Sequence, residues 1–275
     1  MTERSDSRPV ALVTGASRGI GKAAAIDLAA AGYDIAVCAR TLHEGDGRSD
    51  TDGVAIPGGL DTTVARIAES GVDALAMRVD VLDRASIDEF VGATADRFGR
   101  IDAVVNNAIY QGAGVMAPFD ELTDEHLHDM FEGNVFAQLA VIRASLPHLL
   151  RQERPTIVNM ISATAYQDPP AKIGDGGWGM GYAMTKAAFA RVAPLLHVEY
   201  GDVGLRVFSV DPGFTVTERM EATGAVGQYA QHFAGARPEV IGRAIRWLVT
   251  DPDADELRGA VVIAQREVKR RDLLP

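Results

Sequence analysis

Tyr182-Ala-Met-Thr-Lys186 sets a phenol and an ammonium four positions apart. On a helix this spacing brings both to one face. A free tyrosine titrates near ~10, too high to exchange protons readily at neutrality. A neighbouring ammonium favours the phenolate and is expected to lower that value. Such a tyrosine can give a proton to a carbonyl oxygen in reduction and take one from an alcohol in oxidation. Many helices show Y-x-x-x-K by coincidence, so the pair gains meaning only from its surroundings.

A second stretch, Thr14-Gly-Ala-Ser-Arg-Gly-Ile-Gly21, follows the apolar run Val10-Ala-Leu-Val13. A strand, a glycine turn and a helix form an anion site, because the helix start offers unpaired N–H groups and the positive end of its dipole. Gly15, Ser17, Arg18, Gly19, Ile20 and Gly21 would then face a nucleotide phosphate. Gly19 lets the backbone approach a pyrophosphate, and Gly21 lets helix and strand pack closely. The spacing is G-x-x-x-G-x-G rather than G-x-G-x-x-G, and a purely structural turn is the alternative reading of these residues alone.

The elements that must position these groups alternate along the chain. Strand patterns cover 10–14, 34–40, 74–80, 101–106, 156–161, 205–210 and 259–263. Helical patterns cover 19–31, 61–70, 84–98, 123–150, 182–200 and 238–250. Strands apolar on both faces imply a parallel sheet covered on both sides. Right-handed crossovers make it a doubly wound α/β fold of the Rossmann type, one domain over 1–275, with ligands beyond the carboxyl ends of the strands. The polar or glycine-rich stretches 41–60, 167–181 and 214–237 all follow strands and so belong to that rim. The glycines around Trp178 imply mobility and hence a lid.

Composition narrows the partners. A net charge of −11 on 275 residues disfavours nucleic acid and anionic membranes. Cys38 is the only cysteine and lies in an apolar run, so it reads as a buried thiol. The start, 1–8, is polar, and no signal-peptide core or membrane-length segment follows, so a soluble cytoplasmic protein is expected.

Further along stand Asp80-Val81, Asn106-Asn107-Ala108, Asn134, Ser162 and Pro212-Gly213. Together with Thr14-Gly15, Gly19-Ile20-Gly21 and Tyr182-x-x-x-Lys186, this ordered set resembles the short-chain dehydrogenase/reductase family from about Val10 to Ile263. The resemblance implies that Tyr182 is the general acid/base and that Lys186 also bonds the nicotinamide ribose. It implies that Ser162 holds the substrate oxygen and that Asn134 supports a water linking Lys186 to solvent. Asp80 and Val81 would meet the adenine, and Asn107 and Ala108 would border the adenosine ribose. Pro212 and Gly213 would lead past the nicotinamide, with Phe214, Thr215 and Thr217 near its carboxamide. A homodimer or homotetramer is also implied. Read alone, Asn107 could tie two strands together and Asn134 could break a helix.

In dinucleotide folds an acid about 20 positions past the glycines grips the ribose of NAD. Here Ala39-Arg40-Thr41 ends the second strand. Arg40 and Arg18 could clamp a 2′-phosphate, which makes NADP(H) the expected cofactor; solvated surface arginines are the alternative. The chain departs from the family at Ile109, where Gly is usual, and at the 20 positions between Ser162 and Tyr182, where about 13 are common. Tyr166 cannot replace Tyr182, because Pro170 stands where its lysine would be. The last strand runs into Ala-Gln-Arg-Glu rather than Val-Asp-Gly-Gly, and the basic tail through Arg271 reads as solvated surface. Trp247 reads as core, and Trp178 as a rim residue within reach of substrate. The expected activity is NADP(H)-dependent interconversion of a small-molecule carbonyl and a secondary alcohol. A 3-oxoacyl-thioester reductase and a non-catalytic NADP-binding regulator are the rivals. The complete Asn134–Ser162–Tyr182–Lys186 set argues against the regulator.

Overall fold

Seven apolar runs become strands, and all pair in parallel. In the computed structural model, which describes residues 8–274, they are β1 (Val10–Thr14), β2 (Asp34–Ala39), β3 (Ala74–Arg78), β4 (Ala103–Asn106), β5 (Thr156–Met160), β6 (Arg206–Asp211) and β7 (Val261–Ile263). The spatial order is β3-β2-β1-β4-β5-β6-β7, so the winding reverses between β1 and β4. In register, Val13 stands between Val37 of β2 and Val105 of β4. The loops leaving β1 and β4 therefore flank the crevice where such sheets bind ligands. Residues 1–7 of the polar start lie outside the described residues.

Alternation along the strands divides the core. Ala11, Val13, Phe208 and Val210 point to one face, and Leu12, Val104, Ile157 and Val207 to the other. The first face is covered by α1 (Gly19–Ala29), α2 (Leu60–Ala68), α10 (Pro238–Thr250) and α11 (Ala264–Arg270). The second is covered by α3 (Arg84–Phe98), α5 (Ala137–Leu149), α6 (Met180–Ala190) and α7 (Val192–Tyr200). The strands β1, β2, β4, β5 and β6 are thus buried on both sides, as the double-sided apolar pattern requires, while the edge strands β3 and β7 keep exposed residues.

The helices depart from expectation where a residue breaks the ladder. The span 123–150 is not one helix: α4 (Asp124–Phe131) passes through a π-helical turn, Glu132–Phe136, into α5. Asn134 is the middle residue of that turn. The span 182–200 is likewise divided into α6 and α7 at Arg191. Pro194 lacks the N–H that would bond the Ala190 carbonyl, and that carbonyl instead accepts from Ser209 Oγ at 3.4 Å.

The tail, expected as solvated surface, forms α11 beside α10 and keeps Arg266, Lys269 and Arg270 exposed. Glu267 is buried there and takes Arg270 Nη2 at 2.7 Å and Arg271 Nε at 3.4 Å. The Arg271 guanidinium lies 4.0 Å from the centre of the Trp247 ring, which is buried as expected. Gln265 Nε2 donates to the carbonyls of Pro212 (2.8 Å) and Phe214 (3.0 Å), so the tail fixes the base of the segment after β6. That segment, 214–237, carries two short helices, α8 (Glu218–Ala222) and α9 (Val226–Ala230), and closes on itself through Val216 N to Ala236 O (2.9 Å) and Ala236 N to Phe214 O (3.0 Å).

Candidate active site

The glycine loop is built around contacts that exclude side chains. A Cβ on Gly21 would lie 2.3 Å from the Gly15 carbonyl oxygen and 2.5 Å from Asn107 Nδ2, so only glycine fits. Asn107 Nδ2 donates to Thr14 O (3.0 Å) and Gly15 O (3.1 Å), while Thr14 Oγ1 accepts from the N–H groups of Asn107 and Ala108, both at 3.0 Å. Asn107 therefore ties the ends of β1 and β4 together, the structural role left open by its sequence. Ser17 is buried and Ile20 packs against the core. α1 begins with Arg18 as N-cap and has no side-chain cap bond and no acid of its own in its first turn. Its Gly19 N–H donates instead to Glu218 Oε2 of α8 at 2.9 Å. A nicotinamide dinucleotide fits these residues: the helix start is uncapped, and the one partner it has taken is an anionic oxygen.

On the adenosine side, Asp80 Oδ1 accepts from Leu82 N at 3.0 Å, shaping the turn after β3 that carries Val81. A cleft of about 350 Å³ opens between the ends of β2 and β3, lined by Arg40, Arg48, Arg78 and His43 together with Asp46, Asp50 and Asp80. Arg40 is exposed there, with 42% of its side chain open to solvent, yet it has a protein partner. It forms a fork with Asp50, Nη1 to Oδ1 at 3.1 Å and Nη2 to Oδ2 at 2.6 Å. Arg18 turns to the same loop, giving Nε to Pro57 O and Nη2 to Gly58 O, both at 2.7 Å. The two arginines flank the loop after β2, and both have protein partners.

The four chemical residues come together at the ends of β5 and α6. Lys186 is 2% exposed, and its Nζ donates to Met160 O at 2.8 Å. Nζ lies 5.8 Å from the centre of the Tyr182 ring. Ser162, at the end of the β5 run, accepts from Thr164 N at 3.3 Å, and its hydroxyl acts on the Tyr182 phenol, favouring its ionised form. Asn134 is fully buried. Its Oδ1 accepts from Tyr110 N (2.8 Å) and its Nδ2 donates to Thr185 Oγ1 (3.2 Å), which in turn donates to Tyr182 O (2.8 Å). The asparagine thus holds the first turns of α6 to the π turn.

The electrostatics reverse the expected direction for Tyr182. Burial pushes its phenol up to about 12, with the Ser162 hydrogen bond opposing and Tyr229 and Asp211 adding. Burial drives Lys186 down to about 7. A lysine half neutral at neutral pH supplies little of the charge that would favour a phenolate, so desolvation wins over the ion–ion effect. Tyr166 is occupied elsewhere: its hydroxyl donates to Asp211 Oδ2, whose Oδ1 accepts from Gly213 N at 2.9 Å. Pro212 and Gly213 follow β6, and Thr215 Oγ1 turns back to their carbonyls at 3.3 and 3.4 Å. Thr217 is the N-cap of α8.

Three loops roof this corner. Gly179 has no room for a Cβ, which would stand 2.1 Å from Val115 O. His232 Nε2 meets Asp175 O at 3.0 Å, and Tyr229 Oη meets Met116 Sδ at 3.8 Å. Phe214 stacks with Tyr229 (5.9 Å) and Phe233 (6.5 Å). Beside the half-buried Trp178, Gly176, Gly177 and Gly179 stand where a Cβ would meet a neighbouring residue, whereas Gly174 has open space. Sequence reasoning missed Asp50, Tyr229 and Glu218, since nothing local marks a side chain whose partner lies far along the chain. Thr185, one residue before Lys186, was within view.

Comparison with known proteins places this geometry. The short chain dehydrogenase family profile matches residues 9–50 and 55–226. A 3-oxoacyl-[acyl-carrier-protein] reductase of Synechocystis sp. is 29% identical over 252 residues, 91% of this chain and 92% of that protein. Among solved structures, a short chain dehydrogenase from Mycobacterium paratuberculosis bound to NAD is similar with a TM-score of 0.75, 26% identity, and coverage of 94% of this chain and 96% of that one. A 3-oxoacyl (acyl-carrier-protein) reductase from Agrobacterium tumefaciens with NADP bound shares the fold at a TM-score of 0.75 and 22% identity, over 93% and 92% of the two chains. Among the described residues no helix is long and apolar enough to cross a membrane.

Proposed function

The chain belongs to the short-chain dehydrogenase family, and from that premise we propose that it interconverts a carbonyl and a secondary alcohol with NADP(H), Tyr182 being the general acid/base. The observation that carries the reading is the buried Lys186 with its ammonium 5.8 Å from the centre of the Tyr182 ring, and the Ser162 hydroxyl acting on the Tyr182 phenol. The nicotinamide, when bound, supplies or accepts the hydride. Gly15, Gly19, Gly21, Asn107 and Ala108 would hold the cofactor's adenosine and phosphates, and Pro212, Gly213, Thr215 and Thr217 its nicotinamide end. Ser162 Oγ holds the substrate oxygen beside the Tyr182 hydroxyl. A phenol pushed up to about 12 keeps its proton at neutral pH, so Tyr182 is poised to donate it to the carbonyl oxygen in reduction.

The roof of Phe214, Tyr229, Phe233 and Met116 is apolar and aromatic, which suits an uncharged carbonyl substrate. Likeness to the Synechocystis reductase favours a second reading, reduction of a 3-oxoacyl thioester. A homodimer or homotetramer in the cytoplasm completes the proposal. Leu195 (54% exposed) and Val198 (82%) on α7, and separately Phe136 (45%) at the end of the π turn, are exposed apolar side chains available to a second copy. The test is oxidation of NADPH across ketones, aldehydes, quinones and 3-oxoacyl thioesters. NADPH binding with no turnover of any carbonyl would sink the enzymatic reading.

NADP preference rests on the absence of an acid at Ala39 and on the arginine-lined cleft. Asp50 now competes for Arg40, so Asp50→Asn should tighten NADPH by freeing the guanidinium for a 2′-phosphate. Arg40→Ala should weaken NADPH about tenfold or more while leaving NADH nearly unchanged, as a charge-assisted contact made only to the phosphate requires. Isothermal titration with both cofactors checks this, and equal losses would show that Arg40 does not read the phosphate.

A further inference from the structure

Among the described residues, Glu218 is the side chain whose carboxylate takes a donor at the start of α1, and it comes from 199 positions away. The helix offers no acid of its own there, and Arg18 has no side-chain cap bond. The Gly19 N–H, in the glycine loop, donates to Glu218 Oε2 at 2.9 Å. The charges facing that carboxylate are cationic: it acts on Arg18, and Arg219 follows it on α8. Glu218 therefore occupies the position where a phosphate oxygen would receive the same donor.

We propose that Glu218 is an internal competitor for the cofactor's pyrophosphate, so that cofactor binding must displace it and thereby release α8 and α9 from the glycine loop. The inference rests on the dinucleotide-binding reading above. The segment is built to move as a piece. Its two ends are cross-bonded at Val216 and Ala236, and its base is held by Gln265. Beyond that base, its polar side-chain contacts to neighbouring loops are Glu218 to Gly19, Arg219 Nη2 to Gln111 O (3.1 Å), Tyr229 to Met116 and His232 to Asp175 O. Of these, the Glu218 contact alone joins the segment to the cofactor's phosphate position. Displacing it couples an event at the phosphates to the roof over Tyr182. Two anions cannot share one amide, and a dianionic pyrophosphate outcompetes a single carboxylate only by giving up part of its binding energy.

The experiment is titration calorimetry of the full chain with inorganic pyrophosphate and with NADPH, comparing wild type, Glu218→Ala and Glu218→Gln. Glu221→Gln, an exposed acid one turn further on α8, is the charge control. Both Glu218 variants should bind pyrophosphate and NADPH roughly two- to thirtyfold more tightly, the span associated with one anion at a helix N-terminus. Glu221→Gln should bind as the wild type does. Hydrogen exchange of the free protein supplies a readout that needs no ligand: Glu218→Ala should speed exchange at Gly19 and across 217–235. Unchanged or weaker binding by the Glu218 variants, or unchanged exchange, would overturn the proposal. A wild type that takes pyrophosphate but no nicotinamide nucleotide would instead overturn the functional reading, leaving the pyrophosphate comparison to judge Glu218.

Discussion

Tyr182→Phe should lose turnover by about 10²–10⁴, the usual worth of a positioned proton donor, while binding NADPH and melting nearly as the wild type does. Reduction places negative charge on the substrate oxygen as hydride arrives, and a proton must reach that oxygen in the same step. Phenylalanine keeps the ring, its packing and its distance from Lys186, and removes only the hydroxyl on which Ser162 acts. The loss should fall on kcat rather than on cofactor affinity, because the hydroxyl acts in the transition state. The pH dependence distinguishes donor from bystander. With the phenol pushed up to about 12, reduction by the wild type should hold steady across neutral and mildly alkaline pH, whereas alcohol oxidation, which needs the phenolate, should climb with pH throughout that range. Near-normal turnover in the variant on a good substrate, or oxidation flat with pH, would place the proton donor elsewhere.

What could be read from the sequence was what depends on local pattern. Double-sided apolar strands separated by helical patterns fixed a parallel sheet, because no other arrangement covers both faces of runs such as Val10–Thr14 and Arg206–Asp211. The glycines were legible because the positions that forbid a Cβ are few, and Gly21 is one of them. The failures share a cause. Asn134 reads as a residue that weakens a helix, yet whether the ladder shifts into a π turn depends on Tyr110 and Thr185, which reach it only in the folded chain. Pro194 was a local signal for the break at Arg191, and the long helix of 182–200 passed over it. The tail looked solvated because Arg270 and Arg271 are basic, but their partner Glu267 is buried by contact with α10. The Arg40–Asp50 and Gly19–Glu218 contacts were missed for the same reason: these residues become neighbours through loops whose course no periodicity encodes.

The sign of the Tyr182 shift was misread because proximity to Lys186 was weighed and burial was not, and the lysine itself gives the sharpest way to measure that balance. Burial drives Lys186 down to about 7 in the folded chain, against about 10.4 for a free lysine. Between those values the unfolded chain binds more protons than the folded one, so this residue's contribution to stability rises with pH across that window. Below about 7 both states are protonated and the burial penalty is constant. Lys186→Met keeps the volume and removes the charge. It also strands the Met160 carbonyl, a loss of about 1 kcal/mol, whereas each pKa unit is worth about 1.4 kcal/mol. The penalty removed is therefore larger than the hydrogen bond lost, and the variant should melt a few degrees higher than the wild type near neutral pH. That advantage should shrink as pH rises towards 10, because the wild-type lysine then folds in its neutral form at no charge penalty. Above 10 Tyr182 adds an opposite trend, since the folded phenol keeps its proton to about 12, which sets the upper limit of the comparison. Turnover should meanwhile collapse, with weaker NADPH binding if Lys186 also serves the ribose. Thermal melts of both proteins from pH 6 to 10 decide the matter: a variant less stable than the wild type at pH 6 to 7, by a margin that does not change with pH, would mean that Lys186 is comfortably charged where it stands and that its ammonium, after all, governs the Tyr182 proton.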